Sequence, residues 1–264
     1  MNKKILPFLF VGYVLAENKL MLHVRREYFG NDIKIAHISD VHKRRFGKDN
    51  SRICRLISRE KPDIIFITGD LVSRSERNFA NTEKMLDGLC EIAPVYMIRG
   101  NHEKTSPPEI KKDFSEIVKR TDVTMLNNSS EEVRIKGRTI HIFGLAESRR
   151  VYKNGKSYRN LDIITTEVMN NLLGRCPDGE TILLAHNPFF AEAYSQWGAE
   201  YTLSGHVHGG VIRLFGKGIL SPERKFFPPY SKGVYDVDGM KLLVSGGIGK
   251  FRLFNPPEIV IYKI

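Results

Sequence analysis

The stretch Gly100-Asn101-His102-Glu103 follows an apolar run at residues 94–98, so it places an amide, an imidazole and a carboxylate where a strand is expected to end. Open α/β sheets bind ligands just outside the carboxyl ends of their strands. The tetrapeptide is therefore a candidate site, although by itself it is equally typical of a polar loop with a turn glycine. The residues that follow the other predicted strands decide between these two interpretations.

Four other predicted strands also end in side chains of the metal-binding type. These strands are residues 33–38, 63–68, 181–185 and 201–203. The side chains that follow them are Asp40, His42, Asp70, His186, His206 and His208. One such residue alone means little, because an aspartate after a strand is usually a turn former or a helix cap. Together with Asn101, the seven side chains predict a metal site.

The mixture of side chains indicates which metals and which chemistry to expect. Carboxylates, imidazoles and an amide suit Mn, Fe or Zn better than Ca or thiolate chemistry. Seven ligands are too many for one tetrahedral ion and suit two ions that share a bridging carboxylate. Two ions about 3.5–4 Å apart clamp a phosphoryl group and activate water to hydroxide. The sequence therefore predicts a dinuclear metal-dependent phosphohydrolase that cleaves a phosphodiester, phosphomonoester or pyrophosphate bond by hydroxide attack.

Strand-like and helix-like stretches alternate from residue 33 onward, which is the pattern of an α/β domain. We expect the helices at residues 50–60, 82–91, 107–119 and 162–173. Shorter strands at residues 123–126, 132–135 and 139–143 are joined by turns such as Lys136-Gly137, as in an antiparallel sheet.

The C-terminal part is also expected to be antiparallel. Asp238-Gly239, between strands at residues 233–237 and 240–245, is a strong hairpin signal, and residues 258–263 form the last strand. The whole pattern predicts an α/β (α+β) fold, a four-layer αββα sandwich of two mixed sheets packed face to face with helices on the outside. Because no linker divides the chain, we expect residues 31–264 to form one domain.

Charge and cysteine content narrow the class of protein only slightly. The net charge is +11, and residues 1–60 contain 13 basic and 6 acidic side chains. Such an excess attracts phosphate compounds, nucleic acids or anionic membranes, and solvated surface charge explains it equally well. Cys54, Cys90 and Cys176 are an odd number without a CxxC pair, which argues against a disulfide framework or a zinc cluster. We expect three buried free thiols.

Residues 1–30 are expected to form a separate apolar and basic N-terminal segment. Met1-Asn2-Lys3-Lys4 precedes twelve uncharged residues, and a helix of that length spans about 18 Å, less than the roughly 30 Å of a hydrocarbon core. The basic start suits an export signal, whereas Lys19 and Arg25 suit attachment to an anionic membrane surface. We therefore expect a membrane-associated or exported protein. The alternative is a cytoplasmic protein with this segment packed on the domain.

Five motifs resemble, in order and almost letter for letter, those of the calcineurin-like metallophosphoesterases. The motifs are Asp40-x-His42, Gly69-Asp70, Gly100-Asn101-His102-Glu103, His186 and Gly205-His206-x-His208. The resemblance covers residues 40–208 by motif, and the strand pattern extends it to the C-terminus. It implies two divalent transition metal ions (Mn, Fe or Zn) and a phosphate-ester substrate.

The resemblance also implies a role for each residue. One ion is held by Asp40, His42, Asp70 and His208. The other is held by Asp70, Asn101, His186 and His206, so that Asp70 bridges the two. His102 lies beside the metals and stabilises the transition state or protonates the leaving oxygen.

The opening segment and the closing Phe254-Asn255-Pro256-Pro257-Glu258 resemble one branch of this superfamily, the membrane-associated bacterial phosphodiesterases and the hydrolases of UDP-2,3-diacylglucosamine. Two positions depart from the pattern. Ser73 stands where many members have an aspartate that orients the catalytic histidine, so His102 needs another partner or titrates near 6.5. The stretch at residues 245–249 lacks the arginine that is common in the branch, and Arg252 is a candidate substitute for phosphate recognition.

Two other functions stay open on the sequence alone. The basic balance suits a nuclease or a cyclic-nucleotide phosphodiesterase, although no basic stripe interleaved with aromatic residues indicates a nucleic-acid partner. A non-catalytic metal-binding interaction module is expected to have lost ligands, and none is lost here. No protein partner is indicated, so the expected partners are a phosphate-ester substrate and a membrane surface.

Overall fold

The computed structural model describes residues 5–30, 32–221 and 224–264. Its α-helices are α1 Ile5–Lys19, α2 Ser51–Glu60, α3 Ala80–Cys90, α4 Asn101–Thr105, α5 Pro108–Arg120, α6 Thr166–Leu173 and α7 Ala191–Trp197. Its strands are β1 His23–Tyr28, β2 Lys34–Ile38, β3 Ile64–Ile67, β4 Val95–Met97, β5 Thr124–Met125, β6 Ser129–Ile135, β7 Arg138–Gly144, β8 Glu180–Leu184, β9 Tyr201–Ser204, β10 Arg213–Leu214, β11 Lys217–Gly218, β12 Gly233–Val237, β13 Met240–Val244 and β14 Glu258–Lys263. The basic start at residues 1–4, on which the prediction of an export signal partly rests, lies outside the described residues.

Two six-stranded mixed sheets form the body of the fold. The first has the strand order β1-β14-β2-β3-β4-β5, and the second has the order β12-β13-β9-β8-β7-β6. In the first sheet β2 to β5 run parallel, and in the second β7, β8, β9 and β13 run parallel. Each sheet therefore gathers the carboxyl ends of several strands at one edge, where ligands bind in α/β folds.

Three apolar clusters hold four layers together. Phe66 of the first sheet and Ile142 of the second belong to the cluster between the sheets. Ile57 of α2 and Phe114 of α5 pack on the outer face of the first sheet. Met169 of α6 belongs to the cluster that covers the second sheet. These helices bury one apolar stripe each, as expected of helices that lie on a sheet, and the predicted αββα sandwich is confirmed.

Two expectations about strand pairing are wrong. β5, which we expected in an antiparallel sheet, pairs in parallel with β4 at the edge of the first sheet. β13 forms the expected hairpin with β12 around Asp238-Gly239, but its other side pairs in parallel with β9. Apolar periodicity reports that a strand exists and which face is buried. It does not report which strand lies beside it.

Two smaller expectations are also wrong. α6 begins at Thr166 and not at residue 162, because the Thr165 hydroxyl caps it by accepting a hydrogen bond from Val168 N at 3.3 Å. The three cysteines are free but half-buried rather than buried. The other predicted helices agree with the structure within two residues at either end.

The N-terminal segment contacts the rest of the chain through β1 and through the end of α1. β1 pairs in parallel with β14 and forms one edge of the first sheet. At the end of α1, the buried Glu17 accepts a hydrogen bond from Phe254 N at 3.0 Å, and Asn18 Nδ2 donates to Arg252 O at 2.8 Å. Among the helices described, none has both the length and the apolar character needed to cross a membrane. The division of the chain at residue 30 stays a prediction.

Candidate metal centre

The structure brings the seven predicted ligands together at the carboxyl ends of strands from both sheets. The first sheet supplies four of them after β2, β3 and β4, namely Asp40, His42, Asp70 and Asn101. The second sheet supplies three after β8 and β9, namely His186, His206 and His208. Because the sheets face each other, the two edges meet at one end of the sandwich. Ligands that are distant in sequence therefore become neighbours.

Asp70 lies between the side chains of the two sheets. Its Oδ2 is 3.8 Å from His42 Nε2 and 3.6 Å from His186 Nε2. His208 Nε2 is 3.7 Å from Asp40 Oδ1. The donor atoms of Asp40, His42 and His208 all lie within 4.8 Å of one another, and so do those of Asp40, Asp70 and His186. The donor atoms of His42, Asp70 and His102 meet the same limit, and the three overlapping groups offer adjacent positions for cations.

Asn101 adds a neutral amide on the side of the second sheet. The Asn101 amide lies 3.2 Å from His186 Nε2 and 3.1 Å from His206 Nδ1. The rings of His186 and His206 are 5.0 Å apart and inclined by 64°. All three side chains thus present polar atoms to one small volume beside Asp70.

Five of the seven candidate ligands have a left-handed backbone conformation. The φ angles are 53° at Asp40, 51° at His42, 52° at Asp70, 69° at His206 and 55° at His208. This region costs a residue other than glycine roughly 1–3 kcal/mol, and such strain gathers at functional sites. Backbone hydrogen bonds from Asp40 N to Gly69 O (3.0 Å) and from His42 N to Asp70 O (3.1 Å) hold the two loops against each other.

Close packing explains the glycines of two motifs. A Cβ at Gly100 would lie 2.3 Å from Asp70 Oδ1, and a Cβ at Gly205 would lie 2.4 Å from Asp40 Oδ2. Both distances are too short for any side chain. Each glycine therefore lets the backbone approach a candidate ligand, which is a common use of this residue.

Glu103, for which the sequence indicates no role, fixes the loop that carries Asp70. Its buried carboxylate accepts hydrogen bonds from the backbone N–H groups of Asp70 (3.0 Å), Val72 (3.0 Å) and Gly100 (2.9 Å). Burial, together with the nearby charge of Asp70, raises the pKa of Glu103 to about 7. Since the bond to Gly100 also caps α4, one side chain joins the ends of β3 and β4.

Several ligand atoms are buried without a hydrogen-bond partner among the described residues. They are Asp40 Oδ1, both ring nitrogens of His42 and His208 Nδ1. The other Asp40 oxygen accepts from Ser39 Oγ at 2.7 Å and from His206 N at 3.0 Å, so the strained loop satisfies only half of this carboxylate. Buried polar groups normally have partners. Unpaired oxygen and nitrogen atoms of this kind fit divalent cations.

The charges at the centre are strongly coupled. Burial lowers the pKa of His186, but the carboxylates of Asp70 and Asp40 outweigh it and raise this pKa to about 10. Burial raises the pKa of Asp70, yet His186, His42 and His102 together bring it well below its usual range. Burial raises the pKa of Asp40 and lowers those of His42 and His208. Without a cation, Asp70 and His186 therefore form a buried ion pair.

His102 borders this centre. Its backbone N–H donates to Asp70 Oδ1 at 2.6 Å, and its Nε2 is 4.0 Å from Asp70 Oδ2 and 3.4 Å from Lys250 Nζ. Burial lowers the pKa of His102 to about 4. At Ser73, where the resemblance implies an aspartate, the backbone N–H donates to the Glu76 carboxylate (3.0 Å). His102 thus has a lysine where a carboxylate was expected, and its pKa lies below the expected 6.5.

A pocket of about 500 Å³ opens above the centre. Its floor includes Asp70, Asn101, His102, His206 and His208. Its walls carry four cationic side chains, namely Arg74, Arg149, Lys153 and Lys250. Its apolar part includes Tyr158, Val211 and Phe251. A cationic wall beside candidate metal ligands suits an anionic ligand that has an uncharged portion.

Arg252 does not line this pocket, so the expectation that it recognises phosphate is wrong. Its side chain is 1% exposed, and its guanidinium donates to Gly246 O (2.8 Å) and to Gly249 O (2.6 and 3.1 Å). Arg252 instead braces the loop after β13. The cation that this loop offers to the pocket is Lys250.

Comparison with known sequences agrees with this geometry. A profile of the calcineurin-like phosphoesterases matches residues 33–210, which is more than half of the chain. The chain belongs to this family. As a calcineurin-like phosphoesterase it is a metal-dependent hydrolase that acts on phosphate esters.

Curated relatives of this calcineurin-like phosphoesterase span almost its whole length. An uncharacterized metallophosphoesterase of Aquifex aeolicus is 28% identical over 96% of this chain and 92% of the relative. Phosphodiesterase YaeI of Escherichia coli is 25% identical over 88% and 82%. UDP-2,3-diacylglucosamine pyrophosphatase LpxG of Chlamydia muridarum is 22% identical over 88% and 83%. A solved structure, TT1561 of Thermus thermophilus, has a TM-score of 0.51 at 12% identity, covering 82% of this chain and 90% of that one, and supports the fold alone.

Among the pocket residues of this phosphoesterase that the sequence did not single out are Arg74, Tyr152 and Lys250. Lys250 follows the glycine-rich end of β13, so the rule that sites lie at strand ends was sufficient to find it. Arg74 follows Asp70 by four residues, and the same rule applies. Tyr152, whose ring lies 4.9 Å from that of His206, is in an irregular loop that gives no such signal.

Proposed function

We propose that this phosphoesterase uses two divalent transition metal ions, with Mn the first to test, to hydrolyse a phosphodiester or pyrophosphate bond. This proposal is supported by the position of the seven candidate ligands, which lie together at Asp70 and its neighbours. Buried atoms of Asp40, His42 and His208 have no hydrogen-bond partner among the described residues. One ion would be held by Asp40, His42, Asp70 and His208. The other would be held by Asp70, Asn101, His186 and His206. Such ions polarise a phosphoryl group and make water a stronger nucleophile.

In this proposal His102 assists the leaving group by stabilising, through a hydrogen bond, the negative charge that develops on the leaving oxygen. Its Nε2 faces the same space as Asp70 Oδ2, 4.0 Å away, and Lys250 Nζ lies 3.4 Å from it. The low pKa of His102 leaves its ring neutral near pH 7. The negative charge of a bound phosphate ester raises the pKa of an adjacent imidazole. Lys250 binds a phosphate oxygen beside His102 and keeps the ester oriented.

The names of two relatives support the kind of bond proposed. YaeI is named a phosphodiesterase, and LpxG is named a pyrophosphatase whose substrate is diacylated. Both bonds carry a substituent on either side of phosphorus, which suits a pocket with a cationic wall and an apolar wall. We therefore place phosphodiesters and pyrophosphates of lipid or cell-envelope compounds ahead of phosphomonoesters.

We also infer that the N-terminal segment attaches the protein to a membrane surface. α1 leaves Phe8 79% exposed and Leu15 57% exposed. Lys19 at its end supplies a positive charge. Apolar side chains next to basic ones are the usual composition of a segment that binds anionic lipid.

The catalytic proposal is tested by hydrolysis of a bis-aryl phosphate by the purified full chain with Mn. We expect turnover by the wild type, and a loss of about a thousandfold or more in Asp70→Asn because the bridging charge is removed. The control is Asp87→Asn, an exposed carboxylate of α3, which should keep wild-type activity. If the wild type cleaves no aryl diester or monoester, or if Asp70→Asn loses nothing, the proposal is wrong.

A further inference from the structure

Exposed apolar side chains are concentrated in three segments of the chain. Among the described residues, 17 large hydrophobic side chains are exposed. Six lie at residues 8–20, in and just after α1. Five lie in the hairpin loop, which we define as residues 211–221 and 224–227, and two are Phe251 and Phe254. Single exposed apolar residues are ordinary, whereas a concentration of them marks an interaction surface.

These three segments are joined to one another. The Phe254 ring lies 5.6 Å from that of Tyr13 and 6.4 Å from that of Phe10, so it contacts α1. Leu253 exchanges backbone hydrogen bonds of 3.0 Å with the start of the hairpin loop, donating to Val211 O and accepting from the N–H of residue 213. The segment around residues 251–254 therefore connects α1 to the hairpin loop, and the three form one surface.

The same surface borders the active site. Phe251 and Val211 contribute to the wall of the pocket that contains His102 and His208. Asn255 Nδ2 donates to His208 O at 2.7 Å and to Gly210 O at 2.8 Å, which fixes the hairpin loop beside this candidate ligand. Whatever the surface binds is therefore brought to the pocket mouth.

Basic side chains flank the apolar ones. A cleft of about 490 Å³ near the end of α1 is lined by Lys19, Lys43, Arg44, Arg45 and Lys250. In the hairpin loop, Lys217 and Lys225 are exposed close to Phe215 and Phe226. Phe215 at the turn between β10 and β11 is fully exposed. Protruding aromatic rings with lysine and arginine around them suit the interface of an anionic bilayer, where rings reach headgroup level and cations meet lipid charge.

We propose that this face, comprising α1, the hairpin loop and residues 251–254, docks on an anionic lipid bilayer and turns the pocket mouth toward it. α1 and the hairpin loop are two apolar contacts on either side of Phe254, so they fix an orientation that α1 alone does not. The docking stands independently of catalysis. Its consequence for substrate, a phosphate ester presented by a lipid, rests on the proposed function.

The first test is cosedimentation of the full chain with vesicles. We use vesicles of phosphatidylcholine with phosphatidylglycerol and vesicles of phosphatidylcholine alone. We expect roughly tenfold or stronger partitioning to the anionic vesicles, which falls with added salt. A wild-type chain that stays in solution with both vesicle types overturns the proposal.

Two double variants distinguish binding through the hairpin loop from nonspecific binding by exposed apolar side chains. Phe215→Ser combined with Phe227→Ser removes two exposed rings of the hairpin loop and should weaken partitioning roughly tenfold or more. The matched control, Ile163→Ser combined with Leu172→Ser, removes two exposed apolar side chains outside the surface and should bind like the wild type. Both should hydrolyse a soluble bis-aryl phosphate at the wild-type rate. Partitioning unchanged by the first pair overturns the proposal.

A spectroscopic signal reports the insertion directly. The chain has one tryptophan, the buried Trp197, so a tryptophan at an exposed position is easily followed. Emission from Phe215→Trp should shift to shorter wavelength with anionic vesicles and be quenched by brominated lipid, whereas emission from Ile163→Trp should not change. If the serine pair instead abolishes a dimer and Phe215→Trp shows no shift, the face joins two copies of the chain and the proposal is wrong.

If the wild type binds vesicles but cleaves no phosphate ester, the proposed function fails and the docking proposal stands. If it cleaves soluble esters but does not bind vesicles, the catalytic proposal stands, whereas the docking proposal fails together with membrane attachment through the N-terminal segment. The two failures are therefore distinguishable in one preparation of protein.

Discussion

The floor and the rim of the pocket are built in different ways. The floor, taken together with the candidate metal ligands around it, consists of residues at the ends of buried strands, such as Asp70 and His186, which are at most 1% exposed. The rim consists of irregular loops that carry Tyr158 and Phe251, both more than 40% exposed. Strand ends are fixed by two sheets, whereas loops tolerate change. We infer that the floor determines the chemistry and that the rim determines which phosphate ester reaches it.

The largest losses of activity should come from substitutions in the floor. There Asn101 is expected to bind metal, whereas His102 is expected to assist the leaving group. Asn101→Ala should weaken metal binding and lower activity about a thousandfold, since a metal ion contributes several kcal/mol of transition-state stabilisation. His102→Ala should keep both metals and lower kcat by about a hundredfold or more. Metal analysis and steady-state kinetics on the same samples check both statements. Loss of metal in His102→Ala, or full metal content in Asn101→Ala, would contradict this division of roles between the two residues.

The rigidity of the floor should depend on Glu103. Glu103→Ala leaves three buried backbone N–H groups without their acceptor, so the free energy of unfolding should fall by roughly 3 kcal/mol. Urea unfolding of the metal-free chain measures it. Glu109→Ala, in the exposed first turn of α5, is the control and should change stability little. A similar loss in both variants would show that Glu103 does not brace the loops.

The affinity of the floor for Mn should rise with pH. The pKa of His186 is raised to about 10 by Asp70, so the metal-free protein holds a proton there at neutral pH. A metal must displace that proton, and each unit of pH below the pKa then costs about a factor of ten in affinity. Calorimetric titration with Mn should show an increase of roughly a hundredfold over two pH units below about 9. A flat profile would contradict the buried ion pair.

Among the cationic side chains of the pocket wall, the effect of a substitution on kcat/KM should depend on the position of the side chain more than on its charge. Lys250 Nζ lies 3.4 Å from His102 Nε2, so Lys250→Met should lower kcat/KM by about tenfold or more with both metals retained. Lys153 also lines the pocket, but its Nζ lies over the Tyr158 ring, 5.4 Å from the ring centre, and solvent screens its charge. Lys153→Met should therefore cost less than about threefold. Equal effects in the two variants would remove the special role of Lys250.

The floor was predictable from the sequence because each ligand directly follows an apolar run, as His186 follows β8. The rule about strand ends then needs no knowledge of which strands pair. The pairing of β5 with β4 and the position of β1 beside β14 were not predictable, since they depend on contacts between distant segments. Arg252 shows most clearly what could not be predicted from the sequence. Its sequence position fits phosphate binding, but its burial against backbone carbonyls becomes evident only in three dimensions.

The most direct test of the account is to restore activity with measured amounts of metal. The full chain is stripped with a chelator, and hydrolysis of a bis-aryl phosphate is followed as Mn is added. The two proposed ligand sets, which share Asp70, predict that activity rises until two ions are bound per chain. Activity that saturates at one ion per chain, or that never depends on added metal, would contradict a dinuclear centre.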